Sequence, residues 1–244
     1  MGYGLYLYGI LPATHLNPLH LQGLDKQPVQ AHKIGPFIFL YSDAQQERYL
    51  ASRRNLVGHE KVLEHFMQEG FRTILPLQFG LIVQDWEAVR EQLIEPHDEQ
   101  LHQLFEKLAG NREVGVKVFW DETVELERLM AENDELRERR DRLEGKPLSM
   151  DAVIAIGQDI EAAMEDRKNS IIQVFQDTLN PLALDWVEND AMTNLMIFNA
   201  AYLIPWDAEA KFGEKVEEAD RHFEGRLRIR YNNFTAPFNF AQLD

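Results

Sequence analysis

The first residues with a reactive look are HEKVLEH, His59 to His65. A zinc-protease helix needs H-E-x-x-H, with both imidazoles one turn apart, but the required second position holds Leu63, and the histidines are six apart on different helix faces. His97 and His102, five apart, fail the same test. GYGLYLYG at the N-terminus lacks G-x-G-x-x-G spacing, and Gly145-Lys146 has neither the upstream glycine nor the hydroxyl residue of a phosphate loop. The four serines, Ser42, Ser52, Ser149 and Ser170, sit in no G-x-S-x-G elbow. Glu132, Asp134, Glu135 and Glu138 cluster, yet pairs such as Glu135 with Arg139 and Glu138 with Arg142 make them a solvated helix face rather than general acids. No catalytic residue, metal ligand or cofactor-binding residue is therefore expected.

Three other groups suit binding better than reaction. LRIRY puts Arg226, Arg228 and Arg230 on one strand face and Leu227, Ile229 and Tyr231 on the other; this is either a charged sheet surface or a docking patch for a carboxylate-rich partner. FTAPFNF supplies Phe234, Phe238 and Phe240, which either pin the tail to its own domain or present an aromatic patch. YGLYLYG alternates Tyr3, Leu5 and Leu7 with Tyr6 and Tyr8, so neither face of that strand is polar. It is covered twice by its own domain or keeps one face for a partner.

Composition narrows the classes. The chain of 244 residues is long enough for two domains, and 45% hydrophobic with 27% charged residues is ordinary for a globular protein. A net charge of −16 repels nucleic-acid backbones and acidic lipid surfaces alike. The absence of cysteine excludes disulfides, thiolate metal sites and cysteine nucleophiles. The longest apolar run, LMIFNAAYLIP, is too short for a membrane span, and the N-terminus lacks a basic signal-peptide region, so a cytosolic location is expected.

The elements that must position these residues follow from periodicity. VQAHKI and FIFLYS flank Gly35-Pro36 as a hairpin, and a helix runs from about His59 to Glu69. TILPLQFGLIV is a strand disturbed by Pro76 and Gly80, and helical spacing resumes from Asp85 to a stop at Gly110. The expected domains are 1–110, mixed α+β, and 111–244. In the second, Val114, Val116, Val118 and Trp120 mark a strand, and an acidic helical arm occupies about 122–147, with a weak coiled-coil seam at Leu129, Leu136 and Leu143. A long helix capped by Ser149 carries the stripe Val153, Ile156, Ile160, Met164, Ile171, Val174 and Phe175. Strands LALDWV and MTNLMIFNAAYLI, a helix at about Asp207 to Phe223 and the strand LRIRY complete β-α-β-β-α-β. The fold class is α+β, with a ferredoxin-like (split βαβ) second domain carrying the arm as an insertion.

In order along the chain, YLYGI, LPLQFG (Leu75 to Gly80), EVGVKV (Glu113 to Val118), NAAYL (Asn199 to Leu203) and APFNF resemble the gas vesicle protein F/L family. Gln78 and Leu81 stand where the family commonly has Arg and Thr, and the tail lacks the usual G-P-W-P-P run. The resemblance implies a non-enzymatic accessory or minor structural protein of gas vesicles, in the cytoplasm and associated with the vesicle. Its implied partner is the very hydrophobic shell subunit, with other vesicle accessory proteins as further candidates. The competing expectation is a small-ligand or enzymatic ferredoxin-like protein, which a deep pocket with converging histidine and carboxylate groups would favour. An RNA-binding sheet would need aromatics in a basic surface, which this charge opposes.

Overall fold

The computed structural model describes residues 2–13, 20–142 and 150–243. The expected seam residue Leu143, the Gly145-Lys146 pair and the Ser149 cap lie outside them. The fold is mixed α+β. The chain forms two compact units: Met1–Val114 with Tyr202–Glu209 and Asn232–Asp244, and Gly115–Ala201 with Ala210–Tyr231. The chain thus passes from the first unit to the second after Val114 and then re-enters the first twice, so neither unit is one continuous stretch.

In the first unit, β1 (Leu5–Pro12) pairs antiparallel with β3 (Phe37–Asp43), which pairs with β2 (Gln30–Ile34). The hairpin closes at Ile34 opposite Phe37, with Gly35 at φ +57°, the left-handed turn geometry that glycine adopts without strain. The Pro76 and Gly80 disturbance splits the next strand into β4 (Leu75–Pro76) and β5 (Ile82–Val83), both paired with β1. Helix α1 (Arg53–Gln68) starts earlier than its periodicity indicates, because the hydroxyl of Ser52 accepts from the Asn55 amide and caps it, while Leu56 and Val57 face outward. Val62, Leu63, Phe66 and Met67 of α1 pack with Tyr6, Tyr8, Ile38 and Leu40.

The opposite sheet face is covered by α2 (Trp86–Val89), capped by Asp85, and by α3 (Glu95–Leu108), the two joined by a π-helical turn at Arg90–Ile94. Phe37 stacks on Phe105 of α3, and Phe39 and Tyr41 meet Trp86. β1 is therefore an interior strand covered on both faces by its own unit, which places Tyr6, Leu7 and Tyr8 fully out of solvent.

The second unit holds α4 (Glu122–Glu132), α5 (Asp134–Asp141) and α6 (Met150–Leu179), the longest described helix, then β7 (Asp185–Glu188) and α7 (Glu209–His222). β6 (Asn111–Phe119), β8 (Met196–Pro205) and β9 (Arg228–Thr235) join β7 in a sheet of order β7-β8-β6-β9. The acidic arm is broken at Asn133, whose side chain accepts from the Leu136 amide and restarts the helix as α5. Leu129, Met130 and Leu136 lie on Ile156 and Met164 of α6, so the apolar face of the arm is buried on the long helix. Of the expected stripe on α6, Val153 faces solvent, because the packed face begins at Ile156.

Candidate functional site

Two groups that looked available for partners are instead locked in a polar chain. The Nε2 of His59 lies 3.1 Å from the Leu77 carbonyl, which can only accept, so Nε2 carries the proton. Nδ1 then accepts from the Tyr6 hydroxyl at 2.9 Å, and that oxygen accepts from the Gly80 amide at 3.1 Å. The chain starts and ends on the backbone of Leu77–Gly80, and Gly80 at φ +92° turns its amide inward at no steric cost. Burial lowers the His59 pKa to about 4, keeping the ring neutral, and burial raises the Tyr6 hydroxyl far above its ordinary range. Tyr8 is bound likewise, its hydroxyl meeting Ser42 Oγ at 2.9 Å and accepting from the Leu24 amide at 2.8 Å. The expectation that Tyr6 and Tyr8 present a partner face gives way to an internal clamp, because every ring atom is covered and each hydroxyl is bonded.

The clamp forms one wall of a cleft of about 850 Å³ within the first unit. Leu56 and Glu60 of α1, the Pro76–Leu81 segment, Leu93 and, from the tail, Phe238 and Ala241 to Leu243 line it. The tail phenylalanines separate here. Phe238 faces the cleft, 6.2 Å from the His59 ring; Phe240 is buried under Lys107; Phe234 is half-buried beneath the Arg112 guanidinium. A buried carboxylate holds them in place: the Asn239 amide and side chain donate to Glu113 at 2.9 and 2.6 Å. Neither residue figured in the expected site, and Glu113 was legible only as part of EVGVKV.

Burial outweighs these two bonds and raises the Glu113 pKa to about 7. The folded form holds the proton more tightly than the unfolded one, so this group's stabilisation is full below about 4.5 and is lost as pH rises through about 7. Carboxyl-carbon NMR of labelled protein is expected to show a Glu113 midpoint near 7. A midpoint at the ordinary glutamate value near 4.3 would mean that water reaches the carboxyl.

The three arginines are not brought together. Arg226 lies before β9, and its Nη1 donates to both oxygens of Glu125 at 3.0 and 2.8 Å. Arg167 Nε donates to the same carboxylate at 2.6 Å and Arg167 Nη1 to Glu132 at 2.7 Å. Glu125 is fully buried, so Arg226 belongs to an interior ion cluster rather than to a surface strip. Arg228 and Arg230 are exposed and lie over the Phe119 ring, 4.5 and 5.2 Å from its centroid. Among the described residues no group of three metal-ligating side chains converges, and no helix is long and apolar enough to cross a membrane.

Comparisons with known proteins agree on one family. The family model for "Gas vesicle synthesis protein GvpL/GvpF" matches residues 4–242. The chain is 57% identical to gas vesicle protein F of Dolichospermum flosaquae over the full length of both, and 57% identical to that of Nostoc sp. strain PCC 7120, again with full coverage of both. The crystal structure of GvpF from Anabaena sp. PCC7120 superposes with a TM-score of 0.91 at 57% identity over 99% of each chain. The GvpF crystal structure from Microcystis aeruginosa gives 0.84 at 54% identity, covering 99% of this chain and 100% of that one. An interior tyrosine strand, a clamped proline-leucine segment and a pinned aromatic tail are thus the form that YLYGI, LPLQFG and APFNF take in this chain, which belongs to the GvpL/GvpF family of gas vesicle proteins.

Proposed function

We propose that this chain is a non-enzymatic accessory or minor structural protein of gas vesicles that binds the hydrophobic shell subunit and assists vesicle formation in the cytoplasm. The cleft carries this reading. Its apolar lining of Leu56, Phe79, Leu81, Leu93 and Phe238 suits an apolar segment of the subunit, while the −16 charge keeps a loaded complex dispersed. The buried histidine at the cleft wall has both nitrogens engaged, which disfavours the enzymatic alternative. We also read the second unit as ferredoxin-like: apart from α4 and α5, the element order is β-α-β-β-α-β, and β7-β8-β6-β9 is the strand order that a split βαβ requires.

Co-expression tests the proposal. Wild-type protein is expected to hold the shell subunit in the soluble fraction and to co-purify with it. Leu56→Asp, at an already exposed position, combined with Phe238→Asp should reduce that recovery by roughly tenfold, equivalent to about 1.4 kcal/mol. Undiminished recovery with a normal melting curve would remove the cleft from the function.

A further inference from the structure

The sheet of the second unit has two edges of opposite character. β7 and β9 stand at opposite ends of the order β7-β8-β6-β9. Around β7 the chain is apolar and acidic: Leu184, Trp186, Met192 and Leu195 are exposed, and positions 169–210 contain no Lys or Arg while holding Asp177, Asp185, Glu188 and Asp190. β9 opens with Arg228-Ile229-Arg230-Tyr231, in which both arginines are exposed. A bare edge strand is a template for pairing, and like charges along it oppose pairing with its own kind. β9 against β9 would place arginines together, and β7 against β7 would place carboxylates together. β7 against β9 satisfies both.

The faces correspond as well. Tyr231 stacks on Phe212 of α7 at 6.1 Å, so Ile229 and Tyr231 lie on the helix-covered face and Arg228 and Arg230 on the other. Glu188 accepts from Gln176 of α6, which puts Trp186 and Glu188 on the helix-covered face and Asp185 and Val187 on the other. In a continued sheet, Trp186 of one chain would meet Ile229 and Tyr231 of the next, and Asp185 would meet Arg228 and Arg230. β7 has four residues, and the part of β9 within this unit, Arg228–Tyr231, spans the same length.

We propose that copies of this chain join head to tail, the β7 edge of one pairing with the β9 edge of the next. Such a contact uses two different surfaces, so it is not used up by a single partner and propagates into a ring or an open row. It leaves the cleft of the first unit unused, so failure of one proposal does not touch the other.

Sedimentation velocity on the full chain reads this directly. At low salt the wild type is expected to sediment as species larger than the 28.4 kDa chain, increasingly so with concentration, and to dissociate as salt screens the ion pairs. Asp185→Ser/Trp186→Ser disables one edge and Arg228→Glu/Arg230→Glu the other; Trp186 and both arginines are exposed, Asp185 is half-buried, and circular dichroism confirms that each variant is folded. Each variant alone should be monomeric. Their equimolar mixture should form a species of two chains and stop there, because it contains one good edge of each kind per pair. A wild type that stays monomeric at every concentration and salt, a single-edge variant that still assembles, or a mixture that remains monomeric would each overturn the proposal.

Discussion

Replacing Glu125 with alanine is expected to destabilise the protein by about 3–5 kcal/mol, the usual effect of removing one partner from a buried ion cluster. Glu125 has no exposed side-chain surface and holds both Arg167 and Arg226. Its loss leaves two guanidinium groups, only 16% and 21% exposed, facing an empty site. Exposed pairs such as Arg142 with Glu138 offer the contrast: Glu138→Ala should change stability by less than about 1 kcal/mol. Thermal and urea unfolding of the two variants side by side check this. Equal effects would mean that water reaches Glu125 and that the cluster is a surface feature.

The second large effect concerns His59. His59→Phe keeps the ring volume but leaves the Tyr6 hydroxyl without its acceptor and the Leu77 carbonyl without its donor, at roughly 1–3 kcal/mol each. The same residue sets an acid limit. Its folded pKa near 4 lies below the ordinary 6.5, so its contribution is present above 6.5 and is lost as pH falls through about 4. A depression of that size corresponds to about 3 kcal/mol. Glu113 acts in the opposite sense over an overlapping range, since its contribution is lost as pH rises through about 7. The wild type should therefore show a flattened stability profile between about 4.5 and 6.5. In His59→Phe the compensating slope is gone, and urea midpoints should fall as pH rises through that interval. A wild type and a variant with parallel profiles would mean that His59 binds its proton equally well in the folded and unfolded states.

Local patterns in the sequence reported local structure well. Gly35-Pro36 between the runs VQAHKI and FIFLYS forms the hairpin turn, and Pro76 with Gly80 breaks the following strand as their chemistry requires. The start of α1 was missed because Leu56 and Val57 face outward, so no apolar stripe marks the first turn, although Ser52 is a legible cap. The polar interior was not legible, for a different reason. Glu125 is one acid in a helix full of acids, and its partners Arg167 and Arg226 are 42 and 101 residues away. Periodicity describes which face is apolar; it carries no information about which charge is taken inside. The tyrosine strand showed the intermediate case: its two apolar faces were evident, but only the His59 and Ser42 contacts decide that the face of Tyr6 and Tyr8 is internal.

The pinned tail also has a consequence for how the protein is made. Glu113 and its partner Asn239 are 126 residues apart, and Tyr202–Glu209 and Asn232–Asp244 both belong to the unit that begins the chain. At roughly 5–20 residues per second, a ribosome needs about 6–25 s to reach Asn239 after it has finished Glu113. During that interval the cleft lacks its Phe238 wall and Glu113 lacks its clasp, whereas the residues of the second unit, ending at Tyr231, are finished first. The amino-terminal half is thus synthesised early but completed late, and the nascent chain carries an unfinished cleft until the last segment arrives.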